Sequence, residues 1–471
     1  MVARGAATAV RALTTRLSRL GARAAPLATV LLVGLIAPAS VAGHSLDTRW
    51  ESRLPLAVYL AGAAAAVALS FAFVLLRDVR AEAPSTEGRA RRVPAWLRIG
   101  LRGLGLVAWI WIVIQGFFGG GAADAEVTRL FVWVYGWVGV ALLCAFVGPV
   151  WRLLDPFSTL HDLLARGLRL FGVGAVEKTP LPASIGRWAA VVGFAAVVWL
   201  ELVAQGGGSK TLFVVVVGYT FFTLAMMAQF GRDEWRSRGE IFAVWFDLIG
   251  RLAPFAPVDD GDIRVLRQRS FAGGLLEPGW RIEDLVLTAL GVGSILFDGL
   301  SQTAIWVGAF GVPAVPAQTL LLIVFMAVIV ALALGVSRLV GVAATGAGLL
   351  PIAIGYLLAH YLTYLLIEGQ RIIVAISDPL KRGDDVFGTA FFQPTAAWLP
   401  PGIVWTVQLA AVVGGHMLGA WGGHVVAARD AVGGGLRELR LRQLPLATVM
   451  VGLTTLTLWS LGQALFKPAG S

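Results

Sequence analysis

Apolar runs of about 18 to 25 residues recur from end to end of this chain, and that recurrence constrains its fold more than any single motif. Such a run closes its own backbone hydrogen bonds as a helix, so it can sit in a bilayer where nothing else would satisfy those groups. With 57% hydrophobic and 14% charged residues among 471, against roughly 45–50% apolar usage in soluble domains, the chain reads as all-α: a polytopic transmembrane helix bundle. Its length would otherwise suggest about three soluble domains, but the apolar runs leave no room for a large one.

Candidate spans fall at 56–76, 99–118, 129–149, 186–205, 211–230, 284–300, 317–341, 347–368, 402–426 and 444–465, about ten in all. They follow a leader in which Arg4, Arg11, Arg16, Arg19 and Arg23 come without an acid, then the apolar stretch 26–38 and the small residues Ser40-Val-Ala-Gly before His44. That order matches a signal peptide over 1–43 and a single integral membrane domain over 44–471, with an uncleaved anchor as the alternative.

The net charge of +10 falls in short clusters between the runs rather than along one face. Clusters of that kind are orientation signals, and nucleic acid is not an expected partner. Arg77, Arg80, Arg89, Arg91, Arg92 and Arg98 assign the loop 77–98 to the cytoplasmic side of the membrane, which sets the mature N-terminus outside. Alternation then keeps 151–185, 231–283 and 427–443 inside, and sends 119–128, 369–401 and the tail 467–471 outside. Two cytoplasmic segments, 151–172 and 240–257, read as interfacial amphipathic helices. Each follows a pair of spans, which hints at an internal duplication; two unrelated surface helices explain them as well.

The single cysteine, Cys144, excludes a disulfide and a cysteine metal cluster. Chemistry must therefore come from ionisable groups inside the runs, which cost about 2.5–3.5 kcal/mol each on insertion scales. These are Glu201, Asp298, His360, Glu368 and His416, with His424 near a span edge and Gln408 as a neutral companion.

In "LLAHYLTYLLIEGQ" (357–370), His360, Tyr364 and Glu368 stand at i, i+4 steps and would share one helical face. Glu368 would lie near the outer surface and His360 roughly 12 Å deeper. Such a stripe is either a polar seam that joins neighbouring helices or a site in which His binds metal or protons. "ILFDGLSQTAIW" (295–306) adds Asp298 at a similar depth, unless it is only a helix stop. "VQLAAVVGGHMLGAWGGHVVAA" (407–428) adds His416 in a run where Gly414, Gly415, Gly419, Gly422 and Gly423 read first as packing positions.

Asp298, His360 and His416 together would form a mixed oxygen and nitrogen donor set suited to a transition metal, copper first, then iron or zinc. His44 would join them if processing exposed its amine. Glu368 would then carry protons and Tyr364 orient the reacting group. The outer loop 369–394, with Asp378, Asp384, Asp385, Phe387, Phe391 and Phe392, is a candidate lid.

Several stretches together resemble the fenitrothion hydrolase-like family of bacterial multi-span proteins. They are "GHSLDTRWESRLPLAVYLAGAAAAVALSFAFVLL", "GPVWRLLDPFSTL", "GEIFAVWFDLIGRLAPFAP", "FDGLSQT", "HYLTYLLIEGQ", "SDPLKRGDDVFGTA" and "VVGGHMLGAWGGHVVAARD", between His44 and Asp430. The resemblance implies a membrane activity able to hydrolyse an organophosphate ester; it carries over no set of catalytic residues. The expected function is thus a membrane protein with an outward-facing transition-metal site, as a subunit of a hydrolase or oxidase whose partners are the bilayer and other membrane or extracytoplasmic subunits. A proton-coupled or metal transporter and a non-catalytic scaffold are the alternatives.

Overall fold

The computed structural model describes residues 88–119, 126–172, 178–204, 209–258, 263–311, 313–430 and 436–462, with the single positions Gly62, Ala64, Ala65 and Leu69. The expected signal peptide, His44 and most of the candidate span 56–76 lie outside the described residues. Among the described residues, nine helices are long and apolar enough to cross a membrane. Each coincides with one of the nine later runs, because a long apolar run has only one way to satisfy its backbone without water.

A short strand β1 (Ala90–Arg92) precedes the helix α1 (Ala95–Phe118). Next come α2 (Val127–Phe146), whose stretch Leu130–Val140 is wound as a π-helix, then α3 (Val150–Leu154) and α4 (Pro156–Leu170). The chain continues through α5 (Trp188–Leu202), α6 (Ser209–Phe230), α7 (Arg232–Arg238) and α8 (Ile241–Ile249). Strands β2 (Phe255–Pro257) and β3 (Val265–Gln268) lead to α9 (Ile282–Ser301) and α10 (Ala304–Phe310). The rest is α11 (Val315–Val340), α12 (Val342–Glu368), α13 (Arg371–Ser377), α14 (Pro401–Asp430) and α15 (Leu436–Gly462).

Two features depart from the sequence expectation. The molecule is not purely helical: β1, β3 and β2 form a three-stranded antiparallel sheet, with Arg91 opposite Leu266 and Ala256 opposite Arg267. Strands of three or four residues are too short to show a period of two in sequence. Of the two segments expected at the interface, only α4 keeps an exposed apolar face. In α8, Ile241, Ala243, Val244, Trp245, Phe246, Leu248 and Ile249 are all buried and belong to the main core. An almost wholly apolar helix gains most by full burial, and α8 achieves this between α5, α2 and α3.

α9 and α12 form the centre of the bundle: 89% of the most apolar window of α9 is buried, against 22% for α11. Hydropathy runs the other way, 1.4 for α9 and 3.0 for α11: the helix surrounded by protein carries the polar groups, and the outer one is the more apolar. α12 and α14 pack most closely, through small residues. A Cβ added at Gly419 would lie 2.2 Å from the Gly348 carbonyl oxygen, and one at Gly415 would lie 2.6 Å from that of Pro351. Gly422 and Gly423 meet the same helix through the Ala347 and Ala344 carbonyls, while Gly414 faces open space. Close backbone approach of this kind is how helices associate where no hydrophobic effect separates protein from solvent.

The bundle has two distinct ends. The sheet joins β1, just before α1, to the connection between α8 and α9, so the arginine-rich connections share one end. At the other, the Arg382 Nε donates to the Phe118 carbonyl at 2.9 Å, Gln318 to that of Leu202 at 2.9 Å, and Tyr135 to that of Gly369 at 2.7 Å.

Candidate functional site

Near the end opposite the arginine-rich connections, three helices each contribute polar side chains to one point. α5 carries Glu201 in its last turn, α9 carries Asp298 one turn before its end, and α12 carries His360 and Tyr361. The His360 Nε2 lies 2.8 Å from Asp298 Oδ2. The Tyr361 hydroxyl lies 3.0 Å from Glu201 Oε1 and 3.2 Å from the same Asp298 Oδ2. Gln302 Nε2 donates to Asp298 Oδ1 at 2.6 Å, and the Trp137 indole bonds Glu201. The result is a continuous chain, Glu201 to Tyr361 to Asp298 to His360, and its Asp298–His360 end is mostly shielded: Asp298 is 16% exposed and His360 20%.

The proton count in this chain is informative. One hydroxyl hydrogen on Tyr361 cannot serve two carboxylates at once. The chain closes when Tyr361 donates to Asp298 and a protonated Glu201 donates to the Tyr361 oxygen, or when both bonds reverse. His360, donating from Nε2, completes the Asp298 end. Local sequence explains the placement: Gln302 and Ser301, just past Asp298, bond its carboxylate and its carbonyl and so end the helix around it. Gly299 leaves room for Ser460 of α15 beside His360; a Cβ there would meet the Ser460 Oγ at 3.2 Å and the His360 Cε1 at 3.9 Å.

The other residues singled out in sequence have separate partners. Tyr364 touches the cluster only through its ring, edge-on to Tyr361 at 6.2 Å between centroids. Glu368 accepts from Arg371 Nε at 2.5 Å. His416 is fully buried; its Nδ1 donates to the Val412 carbonyl at 2.7 Å within its own helix, and its Nε2 faces the Met450 carbonyl without completing a hydrogen bond. His424 bonds Gln443 at 2.8 Å, and Gln408 donates to the Ala359 carbonyl at 2.7 Å. Asp298 and His360 therefore meet, whereas Glu368 and His416 bond elsewhere and His44 lies outside the described residues. Among the described residues, no three His, Cys, Asp or Glu side chains are grouped as a metal site would require.

The loop after α13 is ordered by its own acids. Asp378 accepts from the Arg382 and Gly383 backbone at 2.9 and 3.0 Å, and Asp385 from Ser377 at 2.9 Å. Its outward bonds reach α1, where Trp111 and Gln115 donate to the Pro379 carbonyl at 3.0 and 3.3 Å. Phe387 and Phe391 are exposed.

Tyr361 and the centring of Glu201 escaped the sequence reading. The i, i+4 rule selects Tyr364 from His360, but Tyr361 is about 100° around the helix, and it faces the carboxylates because two helices, not one, flank that side.

A second buried acid cluster occupies the arginine-rich end, outside the spans. Asp155 and Glu240 are the N-caps of α4 and α8. Glu240 accepts from the Phe242 and Ala243 backbone at 3.1 and 2.6 Å, from the Tyr219 hydroxyl at 2.7 Å and from the Trp151 indole at 3.2 Å. Asp155 accepts from the Phe157 and Ser158 backbone at 2.9 and 3.2 Å, and from the Ser158 hydroxyl. Burial, and then the Asp155 charge, push the Glu240 carboxyl up to about 7. Burial likewise raises Asp155, against its hydrogen bonds and Arg236.

Comparison of the chain with protein-family models, with curated proteins and with solved structures returns no match.

Proposed function

We propose that this chain is a multi-pass plasma-membrane protein that moves protons through the Glu201–Tyr361–Asp298–His360 chain, with its arginine-rich end in the cytoplasm. The observation that supports it most is the Tyr361 hydroxyl, held between two carboxylates at 3.0 and 3.2 Å. A hydroxyl in that position passes a proton by accepting from one acid and donating to the other, and ionisable groups in apolar helices mark such paths. His360 is the group that exchanges the proton at the Asp298 end. The positive-inside rule supports the orientation, since Arg152, Arg166, Arg232, Arg267 and Arg269 lie at the end opposite the cluster.

Reconstitution into liposomes carrying an internal pH dye tests this reading. Under an imposed potential, the wild-type protein is expected to acidify the lumen faster than protein-free vesicles, and Asp298→Asn to return the rate to that background. A wild-type rate equal to background would overturn the proposal.

A metal-assisted hydrolase is the second reading, favoured by the pairing of an imidazole with a carboxylate at 2.8 Å. Asp298 and His360 would hold the ion, which would supply an activated water for ester attack. Metal analysis of purified wild-type and His360→Ala protein decides it: stoichiometric metal lost in the variant favours the hydrolase, and none in either favours proton transfer.

A further inference from the structure

Helix α4 has two unlike faces. The inner one is fixed to the bundle: Phe157, Ser158 and Thr159 are buried, Arg102 donates to Thr159 Oγ1 at 3.2 Å and to Asp162 at 2.6 Å, and Arg232 donates to Asp162 at 2.9 Å. The outer face is apolar and uncovered. Leu160, Leu163, Leu164, Leu168 and Phe171 line a shallow groove whose floor is Gly167, where an added Cβ would meet nothing. Leu164 is 53% exposed and Phe171 87%. Arg166 and Arg169 are exposed on the side of the helix away from the groove, while Asp162, the only acid of α4, is turned inward and ion-paired.

The level of α4 follows from its partner on α1. Arg102 is six residues beyond Trp96, roughly 9 Å along the axis, and Trp96 and Ile99, both 72% exposed, mark the end where α1 begins. That places α4 within the zone where headgroups meet acyl chains. An exposed leucine face backed by exposed arginines on the polar side fits an anionic lipid surface, in which the apolar side sinks about 5–10 Å.

We propose that α4 is an in-plane membrane helix that seats Leu163, Leu164, Leu168 and Phe171 among the acyl chains of the surrounding leaflet and takes anionic phospholipid headgroups at Arg166 and Arg169. This rests on the reading of the chain as membrane-embedded, and the experiment separates the two.

The full chain, with Cys144→Ala, is placed in nanodiscs of phosphatidylcholine with or without phosphatidylglycerol. Nitroxide labels are attached at Leu164→Cys or Leu168→Cys, at Val328→Cys on α11 as a span position, and at Asp384→Cys as an aqueous one. Labels at 164 and 168 are expected to meet oxygen and exclude a nickel chelate, as at 328, and to become more shielded with phosphatidylglycerol. Nickel access equal to that at 384, with 328 still shielded, would overturn the α4 proposal alone. Nickel access at 328 would overturn the membrane reading as well. Spin–spin broadening between copies at 168 would assign the face to self-association instead. In Arg166→Gln/Arg169→Gln, the response to phosphatidylglycerol is expected to vanish; its persistence would refute the headgroup contacts.

Discussion

The two buried acid clusters, one at each end of the bundle, use their carboxylates differently. At the arginine-rich end, Glu240 and Asp155 accept from backbone N–H groups at the first turns of α8 and α4, which fixes the chain where it enters those helices. At the opposite end, the bonds of Asp298 and Glu201 run to side chains only: His360, Tyr361, Gln302 and Trp137. A carboxylate that caps a helix has its protonation tied to local folding. One bonded to an imidazole and a hydroxyl can exchange a proton while the backbone stays as it is. The difference is that one cluster's bonds hold backbone at helix starts while the other's join side chains of separate helices.

The comparison is broken most severely by Glu240→Ala. It strands the Phe242 and Ala243 N–H groups, the Tyr219 hydroxyl and the Trp151 indole, a loss of about 3–5 kcal/mol by analogy with broken buried pairs. The expected outcome is a sharply lower yield of monodisperse protein and a lower melting temperature, read by size exclusion and thermal scanning fluorescence. Asp298→Asn should instead leave melting within a few degrees and reduce proton flux about 10²-fold, the size of a lost acid–base partner. Equal melting losses in both variants would erase the distinction.

Tyr361→Phe sharpens it further, since it removes one oxygen and keeps the ring against His360 and Tyr364. Flux should fall about tenfold, with a stability loss of about 1 kcal/mol.

The smallest effect is a slope. Because the folded Glu240 carboxyl sits near 7, above its unfolded value of 4.5, the folded protein binds the extra proton between those values. Stability should therefore decline as pH rises from about 4.5 to about 7 and level off beyond. Glu240→Gln should flatten that decline in melting temperature against pH.

What was legible in the sequence was contrast. Asp298 and His360 stand out because each interrupts an apolar run, and they do meet. Asp155 and Glu240 went unmarked because a carboxylate in a loop full of arginines has no background to stand out from. The nine spans were legible from length alone, whereas the burial of α8 was not: nine residues, all but Asp247 apolar, suit an interfacial helix and a core helix equally, and only the neighbouring α2, α3 and α5 decide. The sheet was hidden for a related reason, its strands being shorter than the period that would reveal them.

The glycine contact between α12 and α14 has a mechanical consequence. With the Gly348 carbonyl seated against Gly419, and that of Pro351 against Gly415, the two helices mesh like keyed shafts. Slippage by one residue would drive side chains into backbone oxygens, so the pair turns or tilts as a single lever. His360 rides on that lever; Glu201 and Asp298 are mounted on other helices. Any movement of this lever against α5 and α9 would therefore stretch the bonds of the Tyr361 hydroxyl to Glu201 and Asp298.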